Sequence, residues 1–303
     1  MARNTIQQRQ DKAIHGILLM LVAYLFFSFI DTSAKWLAIL GLPALQLAFM
    51  RYIGHFVIST AMIGVGGLKL SHFASPYAHM AILRGACLMV STILNFWAVK
   101  FLPLTLTATI LFSSPIIVCL LSWPLLGERV GRIRLGAILL GFVGVTIAIR
   151  PFDDSFQWAM LISLASAFLF ALYAILTRHL AGKVSVDIMQ FYSGAVGSVV
   201  LFPVALYVWQ SPVTSFDWGV MIAMGIFGWA GHQLLTIAHG FAPASTLLPF
   251  GYSFILYLTL WSYFIFDYLP DSWTSLGAGI IIISGIIIWQ RERIRLRQNR
   301  PAA

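Results

Sequence analysis

The chain has 303 residues, of which 60% are hydrophobic and only 10% are charged, and its formal net charge is +9. Soluble domains are roughly 45–50% apolar and about 25% charged, so this composition excludes an ordinary soluble protein and indicates an integral membrane protein. The basic residues gather beside apolar segments and at the C-terminus, which predicts anionic membrane lipid, and not nucleic acid, as their partner.

Ten apolar stretches follow one another along the chain, and each is about long enough to cross a bilayer as a helix. They are continuously apolar and lack the short alternating pattern of a transmembrane β-barrel. The first stretch is too long for the apolar part of a cleavable signal peptide, so we expect it to stay as a helix. The predicted spans are 16–40, 44–67, 77–101, 104–126, 131–150, 157–181, 186–209, 215–240, 243–268 and 273–291.

Lysine and arginine in the loops, in the tails and toward the ends of the spans are distributed very unequally between the two sides of the membrane. One side holds Lys35, Lys100 and Arg150. The other side holds Arg3, Arg9, Lys12, Lys69, Arg129, Arg132, Arg134, Arg178, Lys183, Arg291, Arg293, Arg295, Arg297 and Arg300. Because basic residues accumulate on the cytoplasmic side, both termini are predicted to be cytoplasmic, with residues 292–303 as a basic tail.

The second half of the chain resembles a diluted copy of the first. Residues 13–151 form the first predicted five-helix repeat and residues 156–291 the second. A unit with five crossings ends on the opposite side from its start, so its copy must be inverted, an arrangement typical of transporters with a central cavity. Chance similarity among glycine-rich apolar helices is the alternative. A shift of 140 residues pairs Tyr52 with Tyr192, Gly54 with Gly194, Gly85 with Gly225, Ala98 with Ala238, Phe101 with Phe241, Pro103 with Pro243 and Ser113 with Ser253.

The segment from Phe96 to Pro151, which includes the Gly127-Glu128 pair, resembles helices three to five of the EamA-type branch of the drug/metabolite transporter superfamily. The resemblance extends over nearly the whole chain. It departs in the second half, where Asp267-Tyr268 stands in place of a second Gly-Glu pair. Within the superfamily the chain is most similar to bacterial exporters of amino acids, especially aromatic ones, which implies export across a bacterial inner membrane.

The sequence lacks the residues that are typical of other classes of membrane protein. The sequence has no Gly-Lys-Ser/Thr phosphate loop and no concentrated set of Asp, His, Ser or Cys at one depth, which argues against a primary pump and an enzyme. No cofactor or metal is expected, because Cys87 and Cys119 fall inside predicted spans without further ligands. We therefore predict an alternating-access exporter of small organic metabolites. Other metabolites, amphipathic drugs or a channel are the alternatives, and the sequence does not determine the oligomeric state.

Three ionisable residues, Asp31, Arg51 and Arg84, lie at membrane depth, where charges are costly. Asp31 and Arg51 reach similar depth, which predicts an ion pair between them. Alternatively, Asp31 pairs with Lys35 one turn along and Arg51 extends to carbonyls or to the interface. Arg84 is expected to extend to the lipid headgroups or, if it faces the cavity, to attract a substrate carboxylate.

Weakly polar and aromatic residues on the third and eighth spans predict either a plain helix interface or the wall of a substrate cavity. An aromatic lining favours flat amphipathic solutes. The candidate cavity residues are Tyr24, Asn95, Phe96, Trp97, Tyr173, His232, Gln233, Thr236, Tyr252 and Tyr257.

Two further features concern the transport cycle. His232 is the candidate for proton coupling, since imidazole changes its charge near neutral pH. The sequence does not determine whether transport is coupled to protons. Pro115, Pro249 and Gly251 are candidate hinges because proline removes a backbone hydrogen bond and kinks a helix; a static bend is the alternative.

Overall fold

The computed structural model describes residues 2–65, 76–126, 131–151, 153–180, 182–241 and 247–298. Within them every regular element is helical. The Gly127-Glu128 pair, Pro243 and residues 299–303 lie outside the described residues. In chain order the helices are α1 (Ala2–Ile39), α2 (Ala44–Val65), α3 (Ala78–Phe101), α4 (Leu104–Leu111), α5 (Ser114–Leu126), α6 (Arg132–Ile149), α7 (Trp158–Leu180), α8 (Val186–Val208), α9 (Ser215–Phe241), a 3-10 helix (Leu248–Tyr252), α10 (Ser253–Phe266) and α11 (Ser272–Gln298).

Eight segments of the described chain are long and apolar enough to cross a membrane, and two shorter apolar helices, Leu135–Ile149 and Phe250–Phe266, accompany them. The prediction of an all-helical membrane protein is confirmed at this level. Most predicted boundaries agree with the structure within a few residues. The last helix is longer than its predicted span, because α11 continues to Gln298.

The fourth predicted span is interrupted. The sequence predicts one helix over 104–126, whereas α4 ends at Leu111 and α5 starts at Ser114. Pro115 explains the break, because its ring would clash with the carbonyl of residue i−4, which is Leu111, and it has no N–H to donate. In the ninth span, the 3-10 helix Leu248–Tyr252 likewise precedes α10. Both spans are therefore short helices in series.

The main helix contacts join the first half of the chain to the second: α1 packs on α9, α2 on α8, α3 on α7 and α6 on α11. Glycines permit close approaches between some of these helices. A Cβ added to Gly54 would lie 2.7 Å from the Cα of Gly225, and one added to Gly85 would lie 3.1 Å from the Cα of Ser193. Small residues at such contacts let helix backbones meet in lipid, where packing drives association.

Polar groups join the two halves near the helix ends. The side-chain amide of Gln46 donates to the carbonyl of Gln210 at 2.7 Å and accepts from its N–H at 2.8 Å. The Arg150 guanidinium lies 2.6 Å from the carboxylate of Asp271. Burial alone would raise the pKa of Asp271, but hydrogen bonds from Thr274 and the charge of Arg150 outweigh it and lower that pKa below its usual value.

Candidate functional site

A cavity of about 180 Å³ lies among α1, α2, α3, α7 and α9, beside the interruptions of the fourth and ninth spans. Both halves of the chain contribute to its wall. Its lining residues are Tyr24, Phe27, Ile30, Asp31, Arg51, Leu88, Ser91, Thr92, Asn95, Phe96, Leu111, Phe112, Ser114, Pro115, Ser166, Phe170, Tyr173, His232, Leu235 and Phe254. The wall is thus mostly apolar and aromatic, with a few polar groups, which is the usual make-up of a small-molecule site.

Asp31 and Arg51 both line the cavity and are both buried, at 7% and 8% exposure. The predicted ion pair between them is not formed, because the ion pairs within 4.0 Å in the described residues involve neither side chain. Asn95 Nδ2 donates to Asp31 Oδ1 at 3.1 Å instead, and Arg51 Nη1 donates to the Thr92 hydroxyl. The sequence places the two charges at one depth, but it does not show that α3 supplies a neutral partner to each.

The alternative ion pair, between Asp31 and Lys35, is not formed either, because Lys35 binds other groups. Its ammonium donates to the carbonyls of Val99 and Leu102 at 3.0 and 2.7 Å. These carbonyls lie at the C-terminal end of α3, where the helix itself offers no N–H partner and a cation is favourable. Lys35 therefore caps α3 and does not neutralise Asp31.

Arg84 does not extend to the headgroups, and the expectation of a side chain at the interface is wrong. The residue is 3% exposed, and its guanidinium donates to Thr177, Met189, Ser193 and Tyr173 at distances of 2.7 to 3.1 Å. The guanidinium also lies 4.4 Å from the centre of the Tyr173 ring. Arg84 stays buried because α7 and α8 supply enough acceptors. It does not line the cavity, but it donates a hydrogen bond to Tyr173, which does.

A pair of buried histidines lies next to the cavity. His232 lines it, and the ring of His55 lies 5.9 Å from that of His232, centre to centre. The Nε2 atoms of both rings are buried and lack a hydrogen-bond partner in the described residues. His55 was not among the candidate residues predicted from the sequence. Its position four residues after Arg51, on the same face of α2, is the signal that identifies it.

The other predicted cavity residues divide into two groups. Tyr24, Asn95, Phe96 and Tyr173 lie on the cavity with His232. Trp97 does not, because it is 50% exposed on the opposite face of α3 from the cavity-lining residues. Four more do not line the cavity: Gln233, Thr236, Tyr252 and Tyr257.

Tyr252 nevertheless lies close by, since its ring centre is 5.1 Å from that of Phe112, which lines the cavity. Thr236 donates to the carbonyl of His232 at 2.9 Å, so its hydroxyl is used within α9. The helical spacing of these residues in the sequence did not distinguish them from the neighbouring residues that face the cavity.

The candidate hinge residues occur at helix interruptions and not inside continuous helices. Pro115 is the second residue of α5, and Pro249 and Gly251 belong to the 3-10 helix before α10. A Cβ at Gly251 would lie 3.0 Å from the hydroxyl oxygen of Tyr24. Gly251 thus makes room for a cavity tyrosine, which gives it a packing role in addition to any role in bending.

Two segments of the chain, residues 14–150 and 157–290, each match the model of the EamA-like transporter family. Curated relatives cover nearly the full length. They include a riboflavin transporter of Vibrio cholerae, 27% identical over 96% of this chain and 98% of the relative. An S-adenosylmethionine uptake transporter of Rickettsia bellii is 28% identical over 92% of this chain and 94% of the relative. A pseudopaline exporter of Pseudomonas aeruginosa is 26% identical over 92% and 97%.

Among solved structures with this fold is a crystal structure with a TM-score of 0.63 and 17% identity, and the match covers 92% of this chain and 98% of the other. At this identity the likeness supports the fold alone. The names of these relatives differ in the direction of transport, since one is an uptake transporter and another an exporter. They also name three chemically different compounds. Amino-acid export in particular therefore receives no support from these names.

Proposed function

Because the chain belongs to the EamA-like transporter family, we propose that it moves small organic solutes by alternating access around the cavity described above. The chain is a multi-pass small-molecule transporter and not an enzyme. Amino acids, including aromatic ones, are the leading substrates in this proposal. Export across a bacterial inner membrane, with both termini cytoplasmic, is its proposed setting.

The observation that supports this substrate class is the composition of the cavity wall. An acid, a base and neutral polar groups line the same small space as Phe27, Phe170 and Phe254. Such a wall fits a solute with a polar head and a flat apolar side chain. The volume of about 180 Å³ is below the roughly 300–1,000 Å³ of drug-sized sites, which favours small metabolites in this conformation.

Glycine contacts support an inverted repeat. Gly54 meets Gly225, and the residues related to them by the shift of 140 are Gly194 and Gly85, of which Gly85 meets Ser193 next to Gly194. An axis that exchanges the two halves would convert the first contact into one between Gly85 and Gly194, which is one residue away from the observed neighbour of Gly85, Ser193. Such an arrangement gives two related conformations, one open to each side, around a fixed site.

Counterflow in proteoliposomes tests the transport proposal. Vesicles loaded with an unlabelled amino acid should take up the labelled compound transiently and saturably, and an imposed pH gradient tests coupling to protons. Phe170→Ala should raise the KM for aromatic amino acids, whereas Phe168→Ala should not, because Phe168 is 44% exposed and does not line the cavity. Non-saturable flux would indicate a pore, and absence of exchange for every amino acid would refute the substrate class.

Larger metabolites are the second candidate. The names of the relatives favour them, since riboflavin, S-adenosylmethionine and pseudopaline are the compounds that those names contain. Exchange of labelled riboflavin or S-adenosylmethionine in the same vesicles, with no exchange of amino acids, would establish this alternative.

A further inference from the structure

Asp31 and Arg51 are opposite charges that face one cavity without touching each other. We propose that they bind the two poles of a zwitterionic solute, with its carboxylate on Arg51 and its ammonium on Asp31. This inference rests on the proposed transport function and adds the residue that binds each charged group of the solute.

The separation of the two charges is the first reason. Each is more than nine-tenths buried, and in the described chain each has a neutral hydrogen-bonding partner, Asn95 for Asp31 and Thr92 for Arg51. Buried charges at membrane depth are costly unless they are neutralised. A solute with one charge would neutralise one of them and leave the other. A zwitterion between them neutralises both at once.

Unused hydrogen-bonding capacity is the second reason. A guanidinium has five N–H donors in a planar fork, and the hydrogen bond described for Arg51 uses Nη1 alone, toward Thr92. The remaining donors suit a carboxylate, which the fork binds in a bidentate manner. At the other pole, Asn95 donates to Asp31 Oδ1, which leaves Oδ2 available as an acceptor.

Asn95 extends the acceptor pole. Its Oδ1 atom is buried without a hydrogen-bond partner in the described part of the chain, and the residue lines the cavity at 7% exposure. An unsatisfied buried carbonyl oxygen needs a donor. An ammonium group provides three donors and would satisfy Asn95 Oδ1 and Asp31 together.

Three compounds that share a phenyl ring on the same two-carbon chain test the contribution of each charged group to binding. Phenylalanine is the zwitterion, 3-phenylpropionate lacks the ammonium and phenethylamine lacks the carboxylate. We expect each of the latter two to displace labelled phenylalanine from the purified full-length protein at least about 10-fold more weakly, as expected for loss of a charge-assisted hydrogen bond.

Variants assign each pole to its residue. Asp31→Asn should remove the preference for phenylalanine over 3-phenylpropionate, and Arg51→Gln should remove the preference over phenethylamine. Arg51→Lys keeps the charge and should retain part of that preference. Asp217→Asn is the matched control, since Asp217 is 5% exposed but binds Trp36 and Thr214 away from the cavity. It should leave both preferences unchanged.

The results for binding and for transport distinguish the two proposals. Equal displacement by all three compounds would overturn the zwitterion site and leave the carrier proposal intact. Phenylalanine that binds selectively but does not exchange would refute transport of amino acids and retain the site. Absence of any displacement, and of any ligand-induced rise in the melting temperature across the amino acids, would overturn the zwitterion site.

Discussion

Adding a methyl group at the contact between Gly54 and Gly225 should destabilise the protein. The Cβ of an alanine at position 54 would lie 2.7 Å from the Cα of Gly225, whereas ordinary van der Waals contact begins near 3.4 Å. The helices α2 and α9 would therefore have to separate by about 0.7 Å, and no flexible side chain is there to move aside. Overpacking of this kind costs roughly 1–3 kcal/mol, against which the helix propensity of alanine recovers up to about 1 kcal/mol.

We therefore expect Gly54→Ala to lower the free energy of unfolding by about 1–2 kcal/mol, measured as a lower melting temperature of the purified protein in detergent. Gly64→Ala on α2 and Gly219→Ala on α9 are matched controls, since a Cβ at either position meets nothing within 4 Å. They should be neutral or slightly stabilising. Gly85→Ala should have a smaller effect than Gly54→Ala, because its nearest contact is 3.1 Å. A melting temperature of Gly54→Ala at or above that of Gly64→Ala would refute the packing argument.

Three further predictions concern the buried Arg84 guanidinium, the ion pair between Arg150 and Asp271, and the orientation of the chain in the membrane. Arg84→Lys should lower the free energy of unfolding by about 2–4 kcal/mol, because the guanidinium and most of its hydrogen bonds are lost. Tyr173→Phe removes one of these bonds and should lower it by only about 1 kcal/mol. A larger loss of thermal stability in Tyr173→Phe than in Arg84→Lys would contradict the role given to Arg84. The lowered pKa of Asp271 means that its contribution to the free energy of unfolding, at most about 1 kcal/mol for this partly exposed pair, is present above the ordinary aspartate pKa near 3.9 and is lost as the pH falls below it. Asp271→Asn should flatten this part of the melting-temperature profile against pH, and an unchanged slope would exclude the carboxylate as its source. In a background without native cysteines, a maleimide applied to right-side-out vesicles should label Ser211→Cys but not Ala302→Cys, and the opposite pattern would reverse the proposed orientation.

Hydropathy was sufficient to predict the helices but not their interruptions. The span predicted at 44–67 corresponds to Ala44–Val65, because a continuous apolar run has one stable solution in lipid. Pro115 was visible as a kink in the fourth span. Its consequence was a complete break, because α4 ends where the proline ring would meet the carbonyl of Leu111.

The candidate site was harder to predict, because it depends on which helix faces each side chain. Depth along α1 and α2 placed Asp31 and Arg51 at one level, and both line the cavity, but the ion pair predicted between them is not formed. It did not reveal Asn95 and Thr92 as their partners on α3. Arg84 shows the same limit: its acceptors belong to α7 and α8, roughly a hundred residues away in the chain.

The cavity combines paired apolar residues with unpaired charges. The first helices of the two halves align at a shift of 143 residues, which pairs Phe27 with Phe170, and both of these line the cavity. The positions related to Asp31 by this shift and to Arg51 by the shift of 140 hold Ala174 and Phe191. Under the proposed inverted repeat, the aromatic walls would serve the inward-open and outward-open states equivalently. The charged poles would come from the first half alone. A zwitterion would then keep one orientation relative to that half throughout the cycle, while the second half moves around it to open the opposite side.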